Sequence, residues 1–598
     1  MTSRSTDELG RRHHRVSLIS TEAWAALALA GFAMAALALW HVAITLCTGV
    51  PFTSPGVTFG ALLRLRPFSG LPAGMRPDSV LPAVIVWLTL VTGLLLLGAW
   101  LTVRGTRRTR PAAGLADGAA ARRSAGEIRA REAARHVRAP SIAAGRLDPQ
   151  RCPLHEVGFH LGTNRDTRES VVLTLEDQVG ILGPTGSGKS VYLSVRAALD
   201  APGPLVATST KPELLDAITE ARSALGRVHV FDPLDIAGWP QRMVWDPVAG
   251  AQYAETAVAR GEAFTGAFAK DDGANNPFFG RAAGIIIARL LHAAALHGAT
   301  MGEVIQWALD LDRSTIARDI LDTHDGAEQM WAQTLQTAME GADETISSVR
   351  MTLAQKVEPL LSRKVLDQLI PRDGAPVFDP AAFVTSTDTL IIITDDNARS
   401  NVAPLAAMLL NEIIDAAKYV AARSMHGRLD PPLRIVGDEI ANVAPLPKLP
   451  PMVSDSRGVG IQWLTIFQSV AQMTTRWGSE GAEQILANLN AALVLGGLQD
   501  AAALERFSDL VGSTDVVQVS SSIDAQHTGT GHTLALTERR TLRAEEIRQI
   551  PHGEALLLYR NAPAMLLQLD PWYERADADQ ITASIEHTRR RRLEGPRP

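Results

Sequence analysis

One short segment limits the folds open to this chain more than any other: VGILGPTGSGKS, from Val179 to Ser190. Four apolar residues run straight into a glycine-rich turn, which ends on Lys189, Ser190 and a helical pattern, SVYLSVRAAL. Gly183, Pro184, Thr185, Gly186, Ser187, Gly188, Lys189 and Ser190 fit G-x-x-x-x-G-K-[ST]. Glycines in such a loop let successive backbone N–H groups turn inward as a nest for phosphate oxygens, and the helix N-terminus adds its dipole. The pattern predicts a buried strand, a phosphate-binding loop and a helix packed back on a sheet. Lys189 is expected to reach the β- and γ-phosphates of ATP, and the Ser190 hydroxyl to bind Mg2+.

The rest of the chain supplies the sheet. Short apolar runs recur at Leu205 (LVATS), Val228 (VHVFD), Leu390 (LIIIT), Leu433 (LRIVGDE), Ile461 (IQWLTIF) and Ala492 (ALVLGG), with helical patterns between them. Strands that read as unbroken apolar runs are covered on both faces, so the expected fold is α/β with a mostly parallel sheet. Between about Ala251 and Ile370 the periodicity is helical, as in AAGIIIARLLHAAALHG, and no strand is expected there. An all-α domain is therefore read as inserted into the sheet domain.

The N-terminus reads differently. From Ala23 to Thr48 the only strongly polar side chain is His41, and from Val80 to Val103 there is none. Each stretch of roughly 24 residues makes a helix of about 36 Å, long enough to cross a bilayer core of about 30 Å with some tilt. Arginines 4, 11, 12 and 15 precede the first stretch and arginines 104, 107, 108 and 110 follow the second, while the loop between carries Arg64, Arg66 and Arg76. By the positive-inside rule both termini are expected in the cytoplasm, with the bulk of the chain tethered beneath a cell membrane. Two cysteines, Cys47 and Cys152, are too few for a disulfide framework or a cysteine zinc site. The net charge of −6 gives no overall attraction to a polyanion, so a nucleic-acid surface has to be local.

A phosphate loop becomes a hydrolase only with a carboxylate partner. LRIVGDEIANVAPLP offers Asp438 and Glu439 directly after a buried strand. Asp438 is expected to hold Mg2+ through water, and Glu439 to polarise the attacking water as general base. In IQWLTIFQS, Gln468 ends the next strand, where its amide can contact the γ-phosphate or the lytic water. Arg457, in SDSRGVG, is read as a loop residue between them, placed to reach the nucleotide of a neighbouring subunit.

Taken in order, GPTGSGKS, DEIANVAPLPKLP, SRGVGIQWLTIFQSVAQM and EEIRQIPHGEALLLYRNAPAMLLQLDPWY resemble the type IV coupling proteins, membrane-anchored ATPases that feed DNA into conjugative transfer channels. The resemblance runs from Ala23 to Tyr573. It implies a RecA-like P-loop NTPase domain with an inserted all-α domain and two N-terminal transmembrane helices. It further implies Lys189 and Ser190 on nucleotide and Mg2+, Asp438 and Glu439 as the acidic motif, Arg457 as a finger in trans and Gln468 as sensor. Implied partners are single-stranded DNA, a relaxase or effector protein, components of a type IV secretion channel, the membrane, and further copies of the chain in a hexameric ring. Where many members of the family have Asp-Pro-Lys-Gly after the second strand, this chain reads STKPELLD. Lys211 and Glu213 remain there, while Ser209 and Thr210 stand in place of the aspartate.

The domains expected are a cytoplasmic N-terminus over 1–22, two spans and a short external loop over 23–103, a basic linker over 104–154, the nucleotide domain over 155–250 and 371–573, the all-α domain over 251–370, and a polar tail over 574–598. Two other readings compete. A double-strand DNA pump of the cell-division type shares the core and anchor, but usually adds a winged-helix domain for which the residues after Trp572 are too few. A nucleotide-switched recruitment adaptor needs no base, which the Glu439 position supplies.

Overall fold

The computed structural model describes residues 114–594 apart from 269–275, 311–313, 341–342, 373, 375, 396–401 and 524–529, with residues 39, 43, 46–47, 82, 84–93 and 95 nearer the N-terminus. The chain divides into two units, Met1–Thr109 and Arg110–Pro598. In the first, the described residues are helical and include a short apolar helix, Val84–Gly93. Most of the two expected spans lies outside the described residues.

The second unit is built on one eleven-stranded sheet. Its strands are β1 (Gly158–Asn164), β2 (Ser170–Thr174), β3 (Val179–Leu182), β4 (Leu205–Ser209), β5 (Val228–Phe231), β6 (Thr389–Ile393), β7 (Leu433–Gly437), β8 (Ile461–Phe467), β9 (Ala491–Leu495), β12 (Glu554–Tyr559) and β13 (Met565–Gln568). The order is β2-β1-β13-β12-β9-β3-β8-β7-β4-β6-β5. The seven strands from β9 to β5 are parallel, and β12, β13, β1 and β2 extend them as an antiparallel meander. All seven parallel strands coincide with the apolar runs read from sequence. A separate antiparallel hairpin, β10 (Ser513–Ile523) with β11 (Thr530–Arg540), was not expected.

The helices that matter for the site are α1 (Gly118–Ala125), α2 (Glu127–Val137), α3 (Val195–Leu199), α4 (Glu213–Ser223), α5 (Ala254–Gly266), α6 (Asn276–His297), α7 (Ala403–Arg423), α8 (Leu449–Val459), α9 (Val470–Asn488), α10 (Ala501–Val511), α11 (Ala544–Arg548) and α12 (Ala578–Glu594). Alternate side chains of one strand enter opposite cores. Leu390 and Ile392 of β6 pack with α7 and the helical insertion, whereas Ile391 and Ile393 pack with α3 and α4. That two-sided burial is why the strand reads as an unbroken apolar run.

Described residues between 254 and 369 form helices and no strand. The insertion leaves and rejoins the sheet domain at one point: Val244 bridges Val377, the Phe378 N–H donates to the Val244 carbonyl at 2.8 Å, and the Trp245 N–H donates to the Gln368 carbonyl at 2.9 Å. Among the described residues one helical stretch, Phe278–His297, is long and apolar enough to cross a membrane. It belongs to α6, whose Ile286, Ile287, Leu290 and Leu291 are buried in the core of the insertion.

Two segments differ from their sequence reading. The expected basic linker contains α1 and α2, which bury Ala121, Ala125, Ala130, Ala134 and Val137 beside β2. Their outward arginines gave the stretch its linker-like composition. The expected polar tail contains α12, which packs along α4. Nε and Nη2 of Arg592 donate to the two carboxylate oxygens of Asp216 at 2.7 and 2.8 Å, and Asp216 is 1 % exposed. The guanidinium of Arg591 lies over the Trp239 ring. The arginine run is thus partly spent inside the fold. A fragment beginning at Arg110 should melt several degrees above one beginning at Arg138, since the shorter one uncovers the face of β2; equal melting temperatures by calorimetry would show that α1 and α2 contribute nothing.

Candidate nucleotide site

β3 ends at Leu182, and the Gly183 N–H still donates to the Phe467 carbonyl of β8 at 3.1 Å before the chain leaves the sheet. Gly186 and Gly188 have φ of +82° and +81°, backbone that L side chains rarely adopt. A Cβ on Gly188 would also sit 2.6 Å from the Tyr192 ring. The helix then opens with a π-helical turn, Ser190–Ser194, of the kind that marks functional sites, and continues into α3.

Lys189 is 8 % exposed, and its Nζ donates to the carbonyls of Gly183 at 2.7 Å and Pro184 at 3.0 Å. Burial pushes its pKa down, against the attraction of Asp438 and Glu439. The lysine therefore spends two of its three donors on its own loop, and a phosphate competes with two carbonyls for it.

The acidic pair lies at the end of β7, two places from β3 in the sheet. Asp438 is 8 % exposed, and Ser190 Oγ approaches its Oδ2 at 3.5 Å. Burial pushes the Asp438 pKa up to about 6; Glu439 adds to the rise, while Lys189 and Ser190 oppose it. Glu439 sits in the left-handed region at φ +52°, ψ +38°, a conformation uncommon outside glycine. Its carboxylate accepts from Thr210 Oγ1 at 3.1 Å and from Gln468 Nε2 at 3.4 Å. Gln468 is itself braced: its N–H donates to Gln472 Oε1 at 3.0 Å, and Gln472 Nε2 donates to Asn442 at 3.2 Å.

Loop, hydroxyl, acidic pair and glutamine thus converge on one end of β3, β8 and β7. Arg457 does not join them. It lies in the last turn of α8, not in a loop, with Glu176 at 3.7 Å. β8 follows α8, so the seven residues of that strand separate Arg457 from Gln468, about 20 Å at roughly 3.3 Å per residue. In its own chain it faces the opposite end of the sheet.

On the β9 side of the loop is a cavity of about 360 Å³, walled by Thr185 and Gly186, by Gly497, and by Arg548, His552 and Glu554. His552 also meets Tyr192 edge-on, with ring centroids 5.4 Å apart. Sequence reading picked none of Thr210, Arg548 or His552 as site residues. The PHGE turn that carries His552 stood only among the stretches quoted for family resemblance.

The oxygen donors Ser190 and Asp438 suit a hard cation such as Mg2+, which binds through few protein ligands and keeps several waters. A carboxylate held out of water beside a hydroxyl is a group that a cation would relieve.

Residues 432–552 match the family described as the TraM recognition site of TraD and TraG. No curated protein sequence matches the chain. Among solved structures, the bacterial conjugative coupling protein TrwBdeltaN70 in its unbound form aligns with a TM-score of 0.50 at 16 % identity, over 67 % of this chain and 87 % of that one. The plasmid coupling protein TrwB in complex with ADP and Mg2+ aligns at 0.49 and 16 %, over 66 % and 85 %. The chain thus carries a stretch similar to TraD and TraG, on a fold like that of a conjugative coupling protein. The matched stretch holds the acidic pair, Arg457, Gln468, the β10–β11 hairpin and the wall residues Arg548 and His552, whereas the phosphate loop lies outside it.

The raised pKa of Asp438 has a sign that can be checked. Folding holds a proton on this carboxyl that the unfolded chain gives up near pH 4, so ionised Asp438 destabilises the fold; the cost is full above about pH 6 and shrinks to nothing towards pH 4. Asp438→Asn should therefore stabilise the nucleotide-free protein at pH 7.5 by about 1–3 kcal/mol, and by progressively less as pH falls. Calorimetry at three pH values tests it; a destabilised variant at pH 7.5 contradicts the stated burial cost.

Proposed function

We propose that this protein is a membrane-anchored, hexameric ATPase that couples a DNA–relaxase or effector substrate to a type IV secretion channel and drives DNA through it. The observation that carries the reading is the placement of Asp438 and Glu439 two strands from the loop, with Ser190 at 3.5 Å from Asp438 and Gln468 at 3.4 Å from Glu439. A switch needs a phosphate cradle. A hydrolase also needs a base within reach of the water that attacks, and the Glu439 carboxylate supplies one.

ATP enters with its phosphates on the N–H groups of 185–190 and displaces the two carbonyls from Lys189. When bound, Mg2+ would be held by Ser190 and Asp438 and would supply charge neutralisation at the phosphates. Glu439 takes the proton of the lytic water, and Gln468 reports the γ-phosphate. The cavity beside Thr185 receives the nucleoside. Arg457, facing away from its own loop, reaches the site of the next subunit and stabilises transition-state charge there. The apolar stretches 23–48 and 80–103 cross the membrane as two spans, which leaves the sheet domain in the cytoplasm.

ATP turnover by the detergent-purified protein should rise when single-stranded DNA is added; a rate unchanged across DNA and salt concentrations would count against translocation. Glu439→Gln should retain ATP binding while kcat falls by at least a hundredfold, within the usual range for loss of a general base of about 10²–10⁴. Mixed rings of Arg457→Ala and Lys189→Ala subunits should recover part of the activity that each variant lacks alone. Inert mixtures would remove the role in trans.

A further inference from the structure

The chain departs from the family it resembles at the end of β4: with Lys211 aligned on Asp-Pro-Lys-Gly, Ser209 stands at the aspartate and Thr210 at the proline. The register of β4 on β7 gives that departure a geometric meaning. Thr208 pairs with Gly437, so continuing the ladder brings Thr210 level with Glu439. The side chains agree: Thr208 Oγ1 donates to the Asp438 carbonyl at 2.8 Å, and two residues on Thr210 Oγ1 donates to the Glu439 carboxylate at 3.1 Å. Between them, Ser209 Oγ accepts from the Lys211 N–H at 3.1 Å, which fixes the turn that presents Thr210.

We propose that Thr210 is the positioning residue of the general base, holding Oε2 of Glu439 so that Oε1 faces the attacking water. The proposal rests on the hydrolytic reading above. Three features carry it. Glu439 has a left-handed backbone, so helical or strand geometry does not aim its side chain and an outside contact has to. The two groups that grip its carboxylate divide the oxygens between them, Thr210 on Oε2 and Gln468 on Oε1. The shorter grip is the one from Thr210, on the strand adjacent to β7, whereas Gln468 is the one expected to turn to the γ-phosphate. When Gln468 leaves, Thr210 alone keeps the base in place. A proline at this position has no side-chain donor, so the grip on Glu439 comes with the threonine.

The test is steady-state ATP hydrolysis by the full-length protein, with ATP affinity measured separately. Thr210→Val keeps the shape and removes the donor; it should lower kcat about tenfold and leave KM and ATP affinity within a factor of two. Thr210→Ser, which restores the hydroxyl, should recover most of the rate. Wild-type kcat in Thr210→Val, a loss in KM instead of kcat, or a serine variant as slow as the valine one would each overturn the assignment. Glu439→Gln run alongside separates the failures: if it hydrolyses ATP at the wild-type rate, the base itself is lost and Thr210 with it, whereas an inactive Glu439→Gln beside a fully active Thr210→Val removes Thr210 alone. Equal melting temperatures of the three Thr210 proteins confirm that the rates report chemistry.

Discussion

The site depends on charge held out of water. An ammonium on Lys189, on the loop after β3, and a carboxylate on Asp438, at the end of β7, are each 8 % exposed and attract one another, and burial shifts both away from their charged forms. Such an arrangement is costly without a ligand and is relieved when phosphate and a cation enter. The sheet order makes it possible: β8 alone separates the strand that launches the loop from the strand that ends in the acidic pair. β8 also delivers Gln468 to the gap between them.

The same economy governs how the sheet domain is held together. Arg434 of β7 is buried, donating to Gln462 of β8 at 2.8 Å and to the Ala197 carbonyl of α3 at 3.0 Å. It therefore ties the strand of the acidic pair to the helix that follows the phosphate loop, and burial lowers its pKa to about 10. At the far side of α4, the Arg592–Asp216 pair clamps the C-terminal helix to the segment that begins just after Thr210. Buried ion pairs of this kind contribute little net stability but are costly to break from one side, so they fix geometry.

What the sequence revealed follows the physics of burial. The seven parallel strands were legible because burial on both faces leaves an unbroken apolar run, as in LIIIT. β1 and β2 carry polar residues among the apolar ones and escaped notice, and β10, with STDVVQVSSSI, has polar residues throughout. α1 and α2 were hidden because they bury alanines, which add little apolar signal beside their arginines. Arg457, read as a loop residue, lies in α8, whose two prolines are tolerated in the first helical turn. The phosphate loop and acidic pair were recognisable because local chain geometry demands those residue types. Thr210, Arg548 and His552 were not, since each acquires its place only from strand register or from packing across the sheet.

The central claim is that one triphosphate spans the gap between Lys189 and Glu439. A cryo-electron microscopy structure of the protein with Mg2+ and a non-hydrolysable ATP analogue tests it most directly. The account predicts a γ-phosphate on Lys189 Nζ, with Lys189 released from the Gly183 and Pro184 carbonyls and the Glu439 carboxylate turned towards the open face of that phosphate. A nucleotide bound with Lys189 still on its own loop, or with Glu439 facing away from the γ-phosphate, would contradict it.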